Sequence, residues 1–419
     1  MTSTKGLPKF NPLQDILSGL IISCSSIPQL IAYAETAGYA SYRGLSTAGP
    51  TLLLWGLTTG SPWLNSGVTA ITALMTKSDL DAGGAYVEEH GEEEYVKLVA
   101  CYSICVGVAS IAMACLGVGR IVGYVPKPVK IGFKWGCSFG VVLSALPAGL
   151  LTFGSGTLKS IVATQPELQD WIAGLTTTVP VANGASSTLK LLYILSKPEL
   201  LDTTAIFIFL STTVFIMNRS RVLPSWVPPA SEVLIATAAA TFYSSQSHYA
   251  GGIVGGIPPM EGGIAIGPLS LPLELLNPTE LMQVPLIAHF GGILNLLLSA
   301  TLFASLNFLS LINIAAIFET ENSIPYSSTR ELFAQGISCL GAGAVGSAPV
   351  SGSLSRSLIS RMTGTTSKLS CIVTALAWMT MMPYMSIMSS TPRAALSGII
   401  MSAVIKGVAF PRDLVGLRG

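Results

Sequence analysis

Charge is scarce in this chain of 419 residues: Lys and Arg number 22, Asp and Glu 21, together 10% of the sequence. Soluble domains carry about 25%. So few charges do not cover the surface of a water-soluble protein of this length, which excludes an ordinary cytosolic enzyme. A net charge of +1 without a basic stripe excludes a nucleic-acid binder. A hydrophobic content of 50% excludes a disordered chain. No nucleophile elbow, phosphate loop or His/Cys/carboxylate cluster interrupts the apolar runs, so no enzymatic activity, metal or cofactor is expected. The cysteines Cys24, Cys101, Cys105, Cys115, Cys137, Cys339 and Cys371 all fall in apolar runs and form no metal or disulfide pattern. Cys101 and Cys105 stand one helical turn apart, a spacing open to metal, but it is read as small residues packing in a membrane helix. Residues 1–15 hold Lys5, Pro8 and Lys9 and lack the apolar stretch of a cleavable signal.

What is present is hydrophobicity, with a mean hydropathy of +0.63. A bilayer span needs roughly 20 apolar residues, so the apolar half of the chain suffices for about ten to twelve helices. The class is an all-α polytopic membrane protein whose partner is the lipid bilayer. Charge-free runs mark spans at Ile16–Ala34, Leu52–Thr76, Leu98–Gly119, Trp135–Leu158, Thr203–Asn218, Val233–Tyr243, Leu281–Phe318, Leu332–Ser355, Leu369–Pro392 and Ala394–Ile405. Gly60, Pro62 and Gly67 interrupt the second. The run Leu281–Phe318 exceeds one span, and Gly291-Gly292 is its expected break.

Basic residues cluster at Arg120–Lys134, at Arg219 and Arg221, and from Arg361 onward, whereas Val222–Thr329 has no Lys or Arg. The positive-inside rule therefore places the N-terminus and the basic loops in the cytoplasm and the Gly/Pro-rich loop Ser244–Pro278 outside. Which membrane this is the sequence leaves open. The sequon Asn218-Arg219-Ser220 then falls inside and is expected to stay unglycosylated. The acidic stretch Lys77–Glu94 is expected to be an outer loop, solvated rather than ion-binding, because consecutive glutamates do not converge on one cation.

Two stretches break the rules of a membrane helix. In Ile27-Pro28-Gln29-Leu30-Ile31-Ala32-Tyr33-Ala34-Glu35, Pro28 lacks the N–H for the carbonyl four residues back, so the helix is expected to open there. Open backbone at membrane depth lines cavities or lies buried in protein. Gln29 and Tyr33, one turn apart, offer an amide and a phenol to a ligand. Glu35 is a candidate intramembrane acid. The alternatives are that Gln29 bonds a neighbouring helix and that Glu35 reaches the headgroups. In Pro349-Val350-Ser351-Gly352-Ser353-Leu354-Ser355-Arg356-Ser357, a Gly/Ser run opens a short helix. Free N–H groups at a helix start favour an anion by about 0.3–1 kcal/mol, up to about 2 when buried. Arg356 in the first turn costs about 2.5–3.5 kcal/mol at bilayer depth and calls for a partner or an anion. The alternative puts Arg356 at the membrane surface against lipid phosphate.

These blocks resemble the sulfate-permease (SulP) family of anion transporters. Ile27-Pro28-Gln29, Ala32-Tyr33-Ala34 and Ala37-Gly38 resemble its first-helix signature. Val125-Pro126-Lys127-Pro128-Val129 with Gly132-Phe133 and Gly136, Val254-Gly255-Gly256-Ile257-Pro258, Glu331-Leu332 with Gly336, Gly352–Ser357, and Pro392–Ile400 follow in the family's order. The resemblance implies a fold of two inverted seven-helix repeats (7+7) forming a core and a gate domain. The anion would lie between the third and tenth half-helices, whose starts fall near Ser66–Thr69 and Ser353–Ser357. By motif the substrate-binding residues are Gln29, Tyr33, Ser66, Gly67, Thr69, Ser353, Leu354, Ser355 and Arg356. The third-helix block Asn65-Ser66-Gly67-Val68-Thr69 has Val68 where the family has proline. Ser310, flanked by Asn307 and Asn313, stands where the eighth helix often has a carboxylate, so Glu35 and Ser310 are the coupling candidates.

By this resemblance residues 1–11 are a cytoplasmic N-terminus, 12–120 the core of the first repeat, and 121–243 its gate. Residues 244–280 are an extracytoplasmic loop and 281–368 the core of the second repeat. Residues 369–419 are a partial second-repeat gate that includes the last core helix, the repeat being truncated after the twelfth helix and without a STAS domain. The expected function is secondary transport or exchange of a sulfate-like anion, bicarbonate, chloride or a related oxyanion by elevator-like motion, in a homodimer. The alternatives are a non-transporting anion-binding or sensing subunit and an anion channel.

Overall fold

The computed structural model describes residues 9–81, 85–121, 201–224, 227, 231–255, 264–266, 269–271, 276–322 and 326–408, with scattered positions between 128 and 150. Most of the predicted span Trp135–Leu158, including Cys137, and most of the block Val125–Gly136 lie outside the described residues.

Helix α1 (Pro12–Ala37) starts where its sequence says it should. Asn11 accepts from Gln14 N–H (3.3 Å), Pro12 occupies the first turn, and Gly38 closes the helix at φ 97°. The expected opening at Pro28 is not found: α1 runs through it unbroken. Neighbouring helices bury Pro28 and hold both flanks in register, so the missing N–H does not unwind the backbone.

Helix α2 (Ala48–Thr58) gives way to an extended segment ending in strand β1 (Ser66–Gly67), and α3 (Ala70–Leu80) follows. The apolar run Leu52–Thr76 is thus two short helices around a break. Helix α4 (Ala85–Cys115) contains most of the acidic stretch, which corrects the expected loop: it is helical on both sides of a kink at Gly91 (φ 84°, ψ 168°). Glutamate favours helix, and Asp81 caps the start by accepting from Tyr86 N–H (2.9 Å) and Val87 N–H (3.3 Å). Helices α5 (Thr203–Met217) and α6 (Ser231–Ser247) follow, then a two-stranded hairpin of β2 (Ile264–Ile266) and β3 (Leu269–Leu271) within the expected outer loop.

Gly291 (φ 66°) and Gly292 (φ 140°) break the long apolar run, as expected, just before α7 (Ile293–Asn322). Helix α8 (Ser328–Ala344) leads through extended backbone to β4 (Ser351–Gly352) and α9 (Leu354–Met362). Helices α10 (Leu369–Met381) and α11 (Arg393–Val408) complete the described chain. Among the described residues three helices are long and apolar enough to cross a membrane: Pro12–Ala37, Ala85–Cys115 and Ile293–Ala315. Thr203–Met217 and Leu369–Met381 are shorter apolar helices.

Close approach of small residues sets the packing. A Cβ on Gly336 of α8 would sit 2.9 Å from Gly107 O of α4, and one on Gly343 would sit 2.7 Å from Ala100 O. On α1, a Cβ on Gly19 would meet Ser370 O and Val373 of α10 at 2.8 Å. Helix α11 lies as closely on α5, with Thr213 Oγ1 and Phe209 O against Gly398. Buried Asp15 ties the start of α1 to the α9–α10 connection by accepting from Thr366 N–H (2.6 Å), Ser367 N–H (3.2 Å) and both hydroxyls.

Candidate anion site at the crossing of two chain breaks

The two breaks meet. Strands β1 and β4 pair antiparallel, Ser66 opposite Gly352 and Gly67 opposite Ser351. Asn65 O accepts from Ser353 N–H (2.8 Å), Ser357 Oγ accepts from Asn65 N–H (2.9 Å), and Ser66 Oγ donates to Ser351 O (3.1 Å). These bonds satisfy backbone that the broken helices leave unpaired, which buried membrane protein requires. The starts of α3 and α9 are thereby brought to one place.

The two starts differ. Thr69 caps α3: its hydroxyl accepts from Thr72 N–H (3.3 Å), and Thr72 Oγ1 accepts from Thr69 N–H (2.9 Å). Ser353 makes no side-chain cap at α9. The first N–H groups of α9 have no intrahelical partner, so the positive end of its dipole stays open.

Arg356 stands in that first turn with no solvent exposure. Its Nη2 donates to Val68 O (3.3 Å), while Nε and Nη1 have no hydrogen-bond partner. Among the described residues no carboxylate pairs with it. Two positive features, a guanidinium and a helix start, are therefore buried together without neutralisation. That arrangement is costly unless an anion completes it. The alternative that puts Arg356 at the membrane surface against lipid phosphate does not fit this burial within protein.

The other sequence-predicted residues gather here unequally. Gln29 is buried, and its Oε1 accepts from Ser355 Oγ (3.5 Å), so α1 faces the start of α9. Tyr33 is buried one turn on along α1. Ser353 and Ser355 share a hydroxyl contact (3.4 Å). Gly67 is required by crowding: a Cβ there would lie 2.7 Å from Arg356 Nη2. Leu354 packs on the apolar core. Glu35 stands apart: Oε1 accepts from Arg393 Nε (3.1 Å) and Ser41 Oγ (2.7 Å), so its cation is Arg393 at the head of α11 rather than Arg356. Ser310 is half-buried on α7. On that helix Asn307 touches the crossing instead, donating to Val350 O (3.3 Å) and accepting from Ser351 Oγ at its carbonyl (2.9 Å).

Sequence reasoning placed a span at Leu369–Pro392 and counted Asn65 in the third-helix block, but assigned neither to the site. Asn65 is fully buried with Oδ1 unpartnered, and its Nδ2 faces Cys371 Sγ (3.8 Å). Cys371, Thr374 and Trp378 follow at i, i+3 and i+7, the spacing of one helical face, and that spacing was the available signal.

The profile of the sulfate permease family matches residues 13–415. A probable sulfate transporter of Mycobacterium tuberculosis is 25% identical over 400 residues, covering 94% of this chain and 61% of that protein. Human solute carrier family 26 member 6 is 24% identical over 403 residues, covering 93% of this chain and 47% of that protein. The chain thus spans less than two thirds of these relatives. Among solved structures, the transmembrane domain of a cyanobacterial bicarbonate transporter, BicA, superposes with TM-score 0.70 at 18% identity, covering 97% of this chain and 91% of that one. The murine anion transporter Slc26a9 in its inward-facing state gives TM-score 0.73 at 17% identity, covering 98% and 63%. At these identities the superpositions speak to the fold, an inverted-repeat transporter architecture.

Proposed function

Since this chain belongs to the sulfate permease family, we propose that it carries a small anion across a membrane, bound where β1 and β4 cross. The observation that carries this is Arg356: fully buried, beside the uncapped start of α9, with two guanidinium nitrogens unpartnered. Gln29, Tyr33, Ser66, Gly67, Thr69, Ser353, Leu354 and Ser355 frame the same site. The ligand class is a sulfate-like oxyanion, bicarbonate or chloride, since free N–H groups and a guanidinium select charge and acceptor oxygens rather than one species.

The cycle is elevator-like. Helices α1–α4 and α7–α10 form the core body that holds the anion, and α5, α6 and α11 belong to the gate against which it moves. The close packing of α11 on α5 supports this partition. The pair Glu35–Arg393 bridges α1 and α11, between the two bodies. With Glu35 paired and Ser310 neutral, transport runs on anion gradients without an obligatory proton. The N-terminus is cytoplasmic and the working unit a homodimer.

The test is anion uptake by proteoliposomes of the purified protein, with sulfate, bicarbonate and chloride as separate probes. Saturable flux that Arg356→Ala weakens at least tenfold in apparent affinity is expected. Binding without flux would point to a sensing subunit, non-saturating flux to a channel, and unchanged affinity in a folded Arg356→Ala variant would reject the site.

A further inference from the structure

The position of Arg356 poses a problem of its own. A buried guanidinium normally rests on a carboxylate, yet a carboxylate here would neutralise the charge and compete with the anion. Among the described residues Arg356 has one carbonyl, Val68 O at 3.3 Å, and one aromatic face: its Cζ lies 6.0 Å from the ring centroid of Trp378. A ring face attracts a cation through its quadrupole without cancelling net charge.

Trp378 is built to present that face. It is fully buried on α10, and its Nε1 donates to Ser23 O of α1 (3.0 Å). The indole's sole donor is thereby engaged and the ring plane fixed. The same stripe of α10 is fastened one and two turns before Trp378. Thr374 Oγ1 donates to Gly19 O (3.0 Å), and Cys371 Sγ donates to Leu64 O (3.6 Å) beside Asn65. Helix α10 therefore meets both α1 and the β1 break, the elements that frame the site.

We propose that Trp378 is a positioning residue for the anion site: its fixed indole face holds the Arg356 guanidinium in place while leaving its charge and two of its nitrogens for the anion. This rests on the reading of Arg356 as the anion's cation. It makes α10 part of the site's machinery although Trp378 need not touch the ligand.

The experiment compares Trp378→Leu, the longer and more adaptable apolar Trp378→Met, and Trp378→Phe with wild type and Arg356→Ala. The readouts are sulfate apparent affinity in proteoliposomes and the melting temperature without anion. The apolar variant that keeps the wild-type melting temperature should bind sulfate roughly tenfold more weakly. Trp378→Phe keeps a ring face and should stay within about threefold of wild type. A purely structural role would lower melting temperature without separating Phe from the apolar variants. Wild-type affinity in a folded apolar variant, or Phe as weak as that variant, overturns the proposal. If Arg356→Ala itself keeps wild-type affinity, the anion-site reading fails instead, so the two failures are told apart.

Discussion

Gly67→Ala is the smallest change that tests the crossing. The new Cβ would lie 2.7 Å from Arg356 Nη2 and 3.3 Å from its Cζ, against an ordinary contact of 3.4 Å or more. The guanidinium must retreat by about 0.7 Å, because β1 is held by its pairing with β4 and cannot yield. The bond from Nη2 to Val68 O is already long at 3.3 Å and does not survive such a shift. A hydrogen bond to a charged group contributes about 1.5–3 kcal/mol, and overpacking by one methyl costs about 1–3 kcal/mol. A destabilisation of about 3 kcal/mol, near the low end of their sum, is therefore expected, along with roughly tenfold or greater loss of anion affinity. The assay is unfolding of the detergent-solubilised protein, with Gly67→Ala made both alone and in Arg356→Ala. Without the guanidinium the three nearest contacts of the new Cβ are gone, so the cost should fall by at least about 1 kcal/mol, to what a side chain at φ 157° costs the backbone. An equal cost in both backgrounds would show that Gly67 serves the backbone rather than Arg356, and would refute the reasoning.

Further outcomes follow from the same contacts. Gln29→Ala and Tyr33→Ala should each change sulfate affinity or anion selectivity in proteoliposomes; wild-type kinetics in both would remove α1 from the site. Wild-type uptake should respond little to an inward proton gradient, since Glu35 is paired with Arg393 and Ser41. Strong stimulation that disappears in Glu35→Gln would reverse that expectation. Asp15→Ala strips the four groups of Thr366 and Ser367 that bond its carboxylate, and should cost about 3 kcal/mol in heat or denaturant unfolding. A loss under about 0.5 kcal/mol would mean that the α9–α10 connection holds without it.

Much was settled by the sequence alone, because the bilayer is a solvent with simple demands. Scarce charge and long apolar runs required helices in a membrane. Gly291-Gly292 and the Gly60–Gly67 stretch marked backbone that a straight helix cannot keep. The Gly/Ser run before Arg356 marked a helix start, and the ordered blocks pointed to the family. The lone prolyl break misled, because whether Pro28 unwinds α1 depends on what packs around it. The acidic stretch misled in the other direction, since its helix needs the Asp81 cap. Pairing was left to the tertiary structure: Glu35 with Arg393, β1 with β4, and Trp378 with Ser23 join residues hundreds of positions apart, and Trp378 meets Arg356 across the turn between α9 and α10. Local periodicity tells which face of a helix is apolar, but not which helix will meet it. That choice is made by close packing of small residues, and it is what brought a tryptophan from α10 against the buried arginine of α9.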